Sequence, residues 1–385
     1  MKHFLSRVFA ATLIGGKSLF TCCLICGAWM FIACSNDDKD TPSPESFDAK
    51  KYALVDLHLH LDGSLSVDDA IHMAAIEGVS IPSDRNEVKK LLVCPDDCES
   101  LNDYLKCFDL PVSIMQSRET IAYSVSSLVK RLYDQGLIYA EIRYAPQLHL
   151  QKGMTQDEVV AASIEGLKEG MAACKNGIKV QLILCCMRGA DNDDLNYETV
   201  RMTKKYLGQG VCATDLAGAE AIFPTSSYKN LFAYAKEQGV PFTIHAGEAD
   251  GVESMKLAIE YGAKRLGHGV RAWNDKDMKA LVKQKDVCLT LSPSSNLQTK
   301  AVEGITTMSQ YPLQSFLNDG VPVCVNTDNM TVSNTTVENE FQKLYDAGIL
   351  TVEQAKLMVR TAISHAFLSK AEIEELLQLA ERRMN

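Results

Sequence analysis

Two histidines stand two positions apart in VDLHLHLDGSL, residues 55–65, a stretch that otherwise has the apolar character of a buried strand. In a strand, residues i and i+2 point to the same face, so His58 and His60 must aim the same way. Two neutral imidazoles at this spacing can supply half of a metal site. The alternative is a pair of core histidines satisfied by hydrogen bonds, and this stretch alone favours neither.

Two more histidines and an aspartate fall at the ends of other apolar, strand-length segments. His245 lies in PFTIHAGE, His268 in KRLGHGV and Asp328 in VPVCVNTDN. If these strands are parallel, their carboxyl ends meet, and this convergence favours a metal site over scattered core histidines. Imidazoles with a carboxylate and no cysteine suit Zn²⁺, which lowers the pKa of bound water from ~15.7 to ~7. The metal would then be the main source of the nucleophile in any attack by water. We interpret the remaining histidines as structural: His3, His72, His149 and His365.

Glu248 follows His245 by three positions, just beyond the predicted strand. A carboxyl group there can lean over the pocket, and one that the metal does not need is a candidate proton donor to substrate. The alternative is an acid in a solvated loop.

These side chains need a scaffold that brings distant strand ends together. Helix-period segments, such as 155–176, 226–239 and 274–285, alternate with apolar strand-length runs. Alternating strands and helices predict a parallel sheet, and eight βα units predict a (β/α)8 barrel. The predicted strands are 52–60, 137–146, 178–187, 211–218, 241–248, 264–270, 287–296 and 321–329.

The gap between the first two predicted strands, residues 61–136, is too long for one crossover. It contains predicted helices near 66–78, 84–92, 100–108 and 118–135. We interpret it as a helical insertion over the C-terminal rim of the barrel, where it would act as a lid. Three more predicted helices follow the eighth strand and complete the wall.

The segments HLHLDGSL, DLAGAE, TIHAGE, RLGHGV and NTDN, in this order, resemble the motifs of the adenosine deaminase family of metal-dependent hydrolases. The resemblance covers roughly residues 52–370. It implies a (β/α)8 TIM barrel that binds one zinc ion per chain. It also implies conversion of adenosine or deoxyadenosine to inosine or deoxyinosine plus ammonia, in purine salvage.

The resemblance implies a role for each matched catalytic position. Glu248 resembles the acid that protonates purine N1. His268 resembles the residue that orients the zinc-bound water and assists its deprotonation. The implied metal ligands are His58, His60, His245 and Asp328.

Substrate contacts are implied for His60, Asp62, Gly218 and Asn329. Gly218 resembles the backbone donor to purine N3, and Asp62 resembles the acceptor of the ribose 5′-hydroxyl. The family often has a second aspartate in this last motif, at the contact with purine N7, where this chain has Asn329. An asparagine amide can donate a hydrogen bond to N7, so the departure is compatible with binding a 6-aminopurine.

Two other functions stay open. An adenine deaminase would share the fold but would have no ribose to hold, and such enzymes often carry Glu where Asp62 stands, so Asp62 favours the nucleoside. A non-catalytic, nucleoside-binding surface lipoprotein would need neither Glu248 nor His268. The zinc signature of cytidine deaminases, H-x-E with P-C-x-x-C, does not occur in the sequence.

The N-terminal segment predicts export. Residues 1–36 contain three basic residues and no acid, and the apolar run 18–34 is short for a membrane helix, which needs ~20 residues. Residues 1–33 are therefore interpreted as a signal peptide. Cys34 resembles the lipidated cysteine of a bacterial cell-envelope lipoprotein, with residues 34–50 as a flexible tether and 51–385 as the barrel. An uncleaved signal anchor is the alternative.

Charge and cysteine content limit the partners. The net charge of −10 argues against a nucleic-acid surface, which needs a basic stripe. The expected partners are a small-molecule nucleoside and, through the lipid anchor, a membrane. Most cysteines beyond Cys34 are interpreted as buried free thiols, although Cys94, Cys98 and Cys107 could form one disulfide.

Overall fold

Eight parallel β-strands form the centre of the protein in a computed structural model, which describes residues 47–384. They lie in two four-stranded sheets with the orders β1-β2-β3-β4 and β5-β6-β7-β8. Almost all strand residues are buried, in keeping with their continuous apolar character. The strands are β1 Val55–His60, β2 Tyr139–Tyr144, β3 Lys179–Met187, β4 Val211–Ala217, β5 Ile244–Ala246, β6 Arg265–His268, β7 Cys288–Leu291 and β8 Val323–Val325.

The two sheets are joined to each other at both edges. At one edge, a parallel bridge pairs Thr214 of β4 with Phe242, just before β5. At the other, Leu59 of β1 is bridged to Asp328, and the His60 amide donates to the Asp328 carbonyl at 2.7 Å. The strands therefore follow one another around a barrel, and the (β/α)8 prediction is confirmed.

The long connection between β1 and β2 is a helical insertion, as the sequence predicts. It begins with α1, whose N-terminus is closed by a capping box at Ser66. Two of its helices, α3 and α4, contribute side chains to the cavity at the C-terminal end of the barrel. The insertion contains α1 Val67–Glu77, α2 Arg85–Leu92, α3 Leu101–Tyr104 and α4 Asp109–Ser113.

Further helices lie before β2, between the later strands and after β8, on the outside of the barrel. Capping boxes at Ser117 and Thr155 begin the first two of them. They are α5 Arg118–Asp134, α6 Gln156–Ala173, α7 Asp193–Tyr206, α8 Lys229–Glu237, α9 Val252–Tyr261, α10 Lys276–Gln284, α11 Pro293–Gln298, α12 Leu313–Asn318, α13 Val337–Asp346, α14 Val352–Ser364 and α15 Lys370–Met384.

Most of the strands are shorter than predicted, and two differences have a clear physical reason. The seventh strand ends at Leu291 and not near residue 296, because Pro293 occupies the first turn of α11, where its fixed φ favours a helix. Residues 47–50, which were predicted to belong to the tether, pack onto the barrel domain. Phe47 and Ala49 are buried, and the Phe47 ring stacks on Tyr345 with the centroids 4.5 Å apart.

The predicted signal peptide and Cys34 lie outside the described residues. Within 47–384, no helix has the length and apolar character needed to span a bilayer. All the cysteines of this range are buried free thiols, so the disulfide considered for Cys94, Cys98 and Cys107 is not formed in the structure.

Candidate active site

The four predicted metal ligands come together at the C-terminal end of the barrel. His58 and His60 project from β1, His245 from β5 and Asp328 from the segment just after β8. Each offers one ligand atom, and these atoms all lie within 4.8 Å of one another. Strand periodicity accounts for the two histidines of β1, and barrel closure brings Asp328 beside them. Three other histidines are not part of the group: His72, His149 and His365.

The separations between the ligand atoms match a small divalent ion. Nε2 of His245 lies 3.0 Å from Nε2 of His58 and 3.3 Å from Nε2 of His60. Oδ1 of Asp328 lies 3.4 Å from Nε2 of both histidines of β1. Zinc–nitrogen distances of ~2.0–2.1 Å in a tetrahedral site place the ligand atoms roughly 3.3 Å apart. Four of the separations are close to this value, and no pair of ligand atoms is more than 4.8 Å apart, so the donor set suits a zinc ion in its chemistry and comes close to it in spacing.

Hydrogen bonds orient two of the imidazoles so that Nε2 faces the site. Thr290 Oγ1 donates to the Leu266 carbonyl at 3.0 Å, so it accepts from Nδ1 of His58 at 2.8 Å. Nδ1 of His245 lies 2.9 Å from Oδ2 of Asp215. A tautomer with its proton on Nδ1 satisfies these contacts and leaves the Nε2 lone pair for a metal. Metal-binding histidines need such outer partners to fix the tautomer.

Burial keeps the two imidazoles of β1 unprotonated. It lowers the pKa of His60 to about 3 and the pKa of His58 well below its usual value. Burial alone would raise the pKa of Asp215, but the neighbouring His245 and Arg143 outweigh it and hold that pKa below its usual range. The site is therefore prepared for a cation at neutral pH, since metal ligands must be deprotonated.

A glycine allows the imidazoles to approach one another. Gly267 of β6 lies against both His58 and His245. A Cβ atom at this position would come within 2.9 Å of Cε1 of His58 and 3.1 Å of Cα of His245. Any side chain at residue 267 would therefore push the two ligands apart, which accounts for the glycine before His268 in RLGHGV.

Two residues of the site have a backbone conformation that side chains rarely adopt. The φ angle is +61° at His268 and +60° at Asp328. Such strain persists only where the surroundings enforce it, and it is concentrated at functional sites. At Asp328 the amide donates to the His58 carbonyl at 2.8 Å, and the side chain accepts from Ser295 Oγ at 2.6 Å. The β1–β8 junction therefore holds this ligand in place.

The His268 ring lies beside the ligand group in a defined orientation. The Tyr311 hydroxyl donates to Oδ1 of Asn296 at 2.9 Å, and Nδ2 of Asn296 donates to Nδ1 of His268 at 2.9 Å. Burial lowers the pKa of His268 to about 4, so the ring is neutral. Its proton is therefore on Nε2, which lies 3.4 Å from Oε2 of Glu248.

Glu248 is an almost fully enclosed carboxyl group at the wall of the cavity, with 4% of the residue exposed. Burial raises its pKa well above the usual value, and the nearby charges of Asp328 and Glu220 add to the effect. Its Oε1 has no hydrogen-bond partner among residues 47–384. A carboxyl group that stays protonated at neutral pH and lacks a partner can donate a proton to a ligand.

The cavity above these groups has a volume of about 520 Å³, which is within the range of small-molecule sites. The predicted substrate residues Asp62, Gly218 and Asn329 all line it. The insertion forms part of its wall through Tyr104 and Phe108, among others. The predicted position of the insertion over the barrel rim is therefore confirmed.

Asp62 and Asn329 lie on either side of Gly63. Oδ1 of Asp62 accepts from the Gly63 amide at 3.1 Å, and burial raises the pKa of Asp62 to about 6. A Cβ atom at residue 63 would lie 1.8 Å from Oδ1 of Asn329, so the glycine of LDGS is required for this close approach.

Gly218 has φ +104°, which favours glycine at this turn after β4.

The residues that orient the ligands were missed by sequence reasoning. Asp215 gives a signal that could have been used, because an acid inside a buried strand needs a partner. Thr290 and Ser295 give none, since a small hydroxyl in a strand or short helix has many uses. Their partners are distant in the sequence, by 33 positions for Ser295 and by 232 for Thr290.

Metal-dependent hydrolases of the barrel type hold their metal at these strand ends and place acids and bases around it, and this chain is built in that way. Within this class, the chain belongs to the adenosine deaminase family, whose model matches residues 53–382. This confirms the resemblance that the sequence motifs indicate.

Individual proteins agree with the assignment. An adenosine deaminase from Haemophilus ducreyi is 44% identical over 337 residues, which are 86% of this chain and 97% of that protein. An adenine deaminase from Arthrobacter aurescens has a similar structure, with a TM-score of 0.76 at 23% identity over 86% of this chain and 98% of that one. An amidohydrolase from Burkholderia ambifaria with bound zinc has a TM-score of 0.75 at 17% identity, over 87% and 93%. The two structures bear on the fold alone.

Proposed function

We propose that the protein is a zinc-dependent adenosine deaminase that hydrolyses adenosine and deoxyadenosine to inosine and deoxyinosine, with release of ammonia, in purine salvage. One observation carries the proposal. A protonated, unpartnered carboxyl group, that of Glu248, lies at the same cavity as a set of three imidazoles and a carboxylate that fits zinc. Because the chain belongs to the adenosine deaminase family, we infer that adenosine represents the substrate class of this site.

The proposed ligands of the zinc ion are His58, His60, His245 and Asp328. The chemistry that zinc supplies when it is bound by such ligands is the activation of water as a nucleophile at neutral pH. Burial keeps His58 and His60 deprotonated, whereas Thr290 and Asp215 orient the rings of His58 and His245.

Glu248 is proposed as the acid that holds a proton at purine N1. The aromatic C6 carbon resists attack until N1 is protonated, so the reaction needs an acid whose pKa is high enough to keep its proton in the resting site. The raised pKa of Glu248 meets this requirement. His268, with Nε2–H directed to the same side, is proposed to orient the attacking water by donating a hydrogen bond.

Three cavity residues are proposed to hold the nucleoside. Asp62 would accept from the ribose 5′-hydroxyl, the Gly218 backbone would donate to purine N3, and Asn329 would donate to N7. All three line the same cavity as Glu248. His60 would border the substrate as well as bind the metal.

Turnover of adenosine, deoxyadenosine and adenine by the purified zinc-loaded protein tests this proposal. We expect ammonia and the inosine product from both nucleosides, and at least about tenfold lower kcat/KM for adenine, since a missing hydroxyl leaves buried Asp62 unpaired. Faster turnover of adenine would indicate an adenine deaminase. Binding of adenosine without turnover would indicate a nucleoside-binding protein.

We also propose that the protein is an exported lipoprotein anchored through Cys34. The basic start, the apolar run and the polar segment that follows Cys34 support this proposal. Cys34→Ser should abolish acylation in cells and move the protein out of the detergent phase. If partitioning into detergent is unchanged in this variant, the segment is an uncleaved anchor.

A further inference from the structure

Glu220 is a buried acid that the proposed function leaves without a role. It is the last residue of the DLAGAE motif, 1% exposed, and it is absent from the cavity lining, although Ala219 beside it is part of that lining. A buried carboxylate is costly unless hydrogen bonds or charges compensate it, so its partners indicate what it is for.

The carboxylate of Glu220 accepts five hydrogen bonds from one short segment of the chain. The donors lie between residues 247 and 254, which form the connection from β5 to α9 and the first turn of that helix. Oε1 accepts from the amide of Gly247 at 2.8 Å and the hydroxyl of Ser254 at 2.7 Å, and Oε2 accepts from the amides of Glu248, Ala249 and Asp250 at 3.0, 2.8 and 3.1 Å.

Glu220 is ionised in this setting. Burial alone would raise its pKa, but the charge of Arg188, the Ser254 hydroxyl and the backbone amides outweigh burial and hold the pKa below its usual value. Only the ionised carboxylate offers acceptors on both oxygens to all five donors. Arg188 also donates to the His245 carbonyl at 2.7 Å, so the same network reaches the end of β5.

The segment 247–250 depends on Glu220 because it is neither helix nor strand. Its four consecutive N–H groups would otherwise need other acceptors in a largely buried position. The side chain of Glu248, by contrast, has few polar contacts that fix its position. Its Oε2 lies 3.4 Å from His268, and its Oε1 has no partner in the described part of the chain. The position of this carboxyl group is therefore set mainly by the backbone from which it projects.

We propose that Glu220 is a positioning residue for the acid Glu248. By binding the amides of residues 247–250, it fixes the loop so that the Glu248 carboxyl group reaches the substrate. This inference rests on the proposed function, since it takes Glu248 as the proton donor. The negative charge of Glu220 also helps Glu248 to keep its proton, which supports the assignment.

Glu220→Gln tests the proposal, because it removes the charge and replaces one acceptor oxygen by an NH₂ group that cannot accept. We expect kcat for adenosine to fall about 10²-fold, the usual effect of a small misplacement of a reacting group, with KM changed less than about threefold. The zinc content should not change. Loss of zinc, or an unaltered kcat, would overturn the proposal.

A double-mutant cycle separates positioning from a general structural effect. In a Glu248→Gln background, Glu220→Gln should lower kcat by no more than about twofold, because the acid it positions is already gone. If the two losses multiply, Glu220 does not act through Glu248. Glu77→Gln is the matched control: this buried acid accepts from the Gln116 amide at 3.2 Å and the Thr120 hydroxyl at 2.6 Å, away from the loop, so kcat should stay within about twofold.

Amide hydrogen exchange gives a readout that does not need activity. A peptide covering residues 244–251 should exchange at least about tenfold faster in Glu220→Gln and at an unchanged rate in Glu77→Gln. Unchanged exchange in Glu220→Gln would overturn the proposal. If the unaltered protein does not deaminate adenosine, the proposed function fails, whereas this measurement still decides whether Glu220 orders the loop.

Ser254→Ala covers the case in which Glu220→Gln does not fold, since it removes one of the five donors and leaves the charge. We expect kcat to fall about threefold in the otherwise unaltered protein and to stay the same in the Glu248→Gln background. An equal fall in both backgrounds would overturn the proposal.

Discussion

Two of the buried glutamates, one toward each end of the barrel, differ in how their carboxyl groups are compensated. Glu248, at the C-terminal end, faces a cavity, and its Oε1 has no partner in residues 47–384. Glu141 of β2, nearer the N-terminal end, is fully buried and fully bonded. It accepts from the Tyr139 hydroxyl at 2.8 Å and the Phe367 amide at 2.7 Å, and it forms an ion pair with Arg265.

The difference lies in how each buried carboxyl group avoids the cost of an isolated charge. Burial alone would lower the pKa of Arg265, but Glu141 outweighs it and keeps that pKa above its usual value, so the guanidinium stays charged beside Glu141. The Arg265 guanidinium also lies 4.1 Å from the centroid of the Phe367 ring. Glu248 forms no ion pair with a lysine or arginine side chain within residues 47–384, and its raised pKa lets it keep a proton instead. A paired carboxylate contributes structure, whereas a protonated carboxyl group retains a proton that it can transfer.

The largest expected effect comes from removing a metal ligand, which tests whether the C-terminal end depends on zinc. His245→Ala should reduce bound zinc from one per chain to less than about a tenth, because the three remaining ligands would hold the ion more weakly. Deaminase activity should be lost with the metal. Metal analysis by mass spectrometry makes the measurement, and His72→Ala, at an exposed histidine, should keep its zinc. Full occupancy in His245→Ala would remove this residue from the ligand set.

The second test replaces the protonated glutamate. Glu248→Gln should lower kcat by about 10²–10⁴-fold, because an amide can hydrogen-bond to N1 but cannot protonate it. Zinc content and affinity for the inosine product should be kept, and the melting temperature should not fall, since one neutral group replaces another. Steady-state kinetics with adenosine measure the effect. A decrease of less than tenfold would show that Glu248 is not the acid.

The third test makes the same substitution in the other half of the barrel and should give the opposite result. Glu141→Gln leaves the Arg265 charge buried and unpaired, which should cost about 3–5 kcal/mol of unfolding free energy. Activity per folded molecule should stay within about twofold, since Glu141 is remote from the cavity lining. Urea denaturation measures the free energy of unfolding, and kinetics normalised to zinc content measure the activity per folded molecule. If kcat fell strongly in a Glu141→Gln protein that is fully folded, Glu141 would act in catalysis, and the distinction between the two glutamates would be wrong.

The sequence predicts the functional residues at the C-terminal end of the barrel better than the rest of the molecule, and the reasons are physical. His58 and His60 are recognisable because two polar side chains on the same face of an apolar strand must share a partner or a ligand. Glu141 was not singled out, although it is an acid inside an equally apolar strand. Its partner Arg265 lies 124 positions away, so only the folded barrel brings them together.

The role of Glu220 could not be predicted for a related reason. An acid in a polar loop is ordinarily solvated, and nothing in DLAGAE indicates that the amides of residues 247–250 will surround it. The positive φ of His268 and Asp328 was equally hidden, since only a small share of non-glycine residues adopts that conformation and the residue type alone does not single these two out. Sequence periodicity gives the strands and the ligands that they carry, whereas loop conformation depends on tertiary contacts.

We expect the smallest effect from a change at Asn329. This residue would recognise the substrate by donating a hydrogen bond, whereas Glu248 would act by transferring a proton. It is 2% exposed and lines the cavity, and its Oδ1 lies against Gly63 without a hydrogen-bond partner in the described residues. Nδ2 therefore points away from Gly63. Purine N7 is only an acceptor, and an asparagine amide can donate to it at any pH, whereas an aspartate can donate only when protonated.

Removing N7 from the substrate should leave this donor buried and unpaired, at a cost of about 1–3 kcal/mol. That corresponds to about five- to 150-fold in kcat/KM, so 7-deazaadenosine should be a poor substrate by this factor. Asn329→Leu removes the donor and should make the two nucleosides equivalent, which is a change in ratio that general damage to the site would not produce. If the unaltered protein turns over both nucleosides equally well, Asn329 does not bind N7, and the asparagine has no part in recognising the purine.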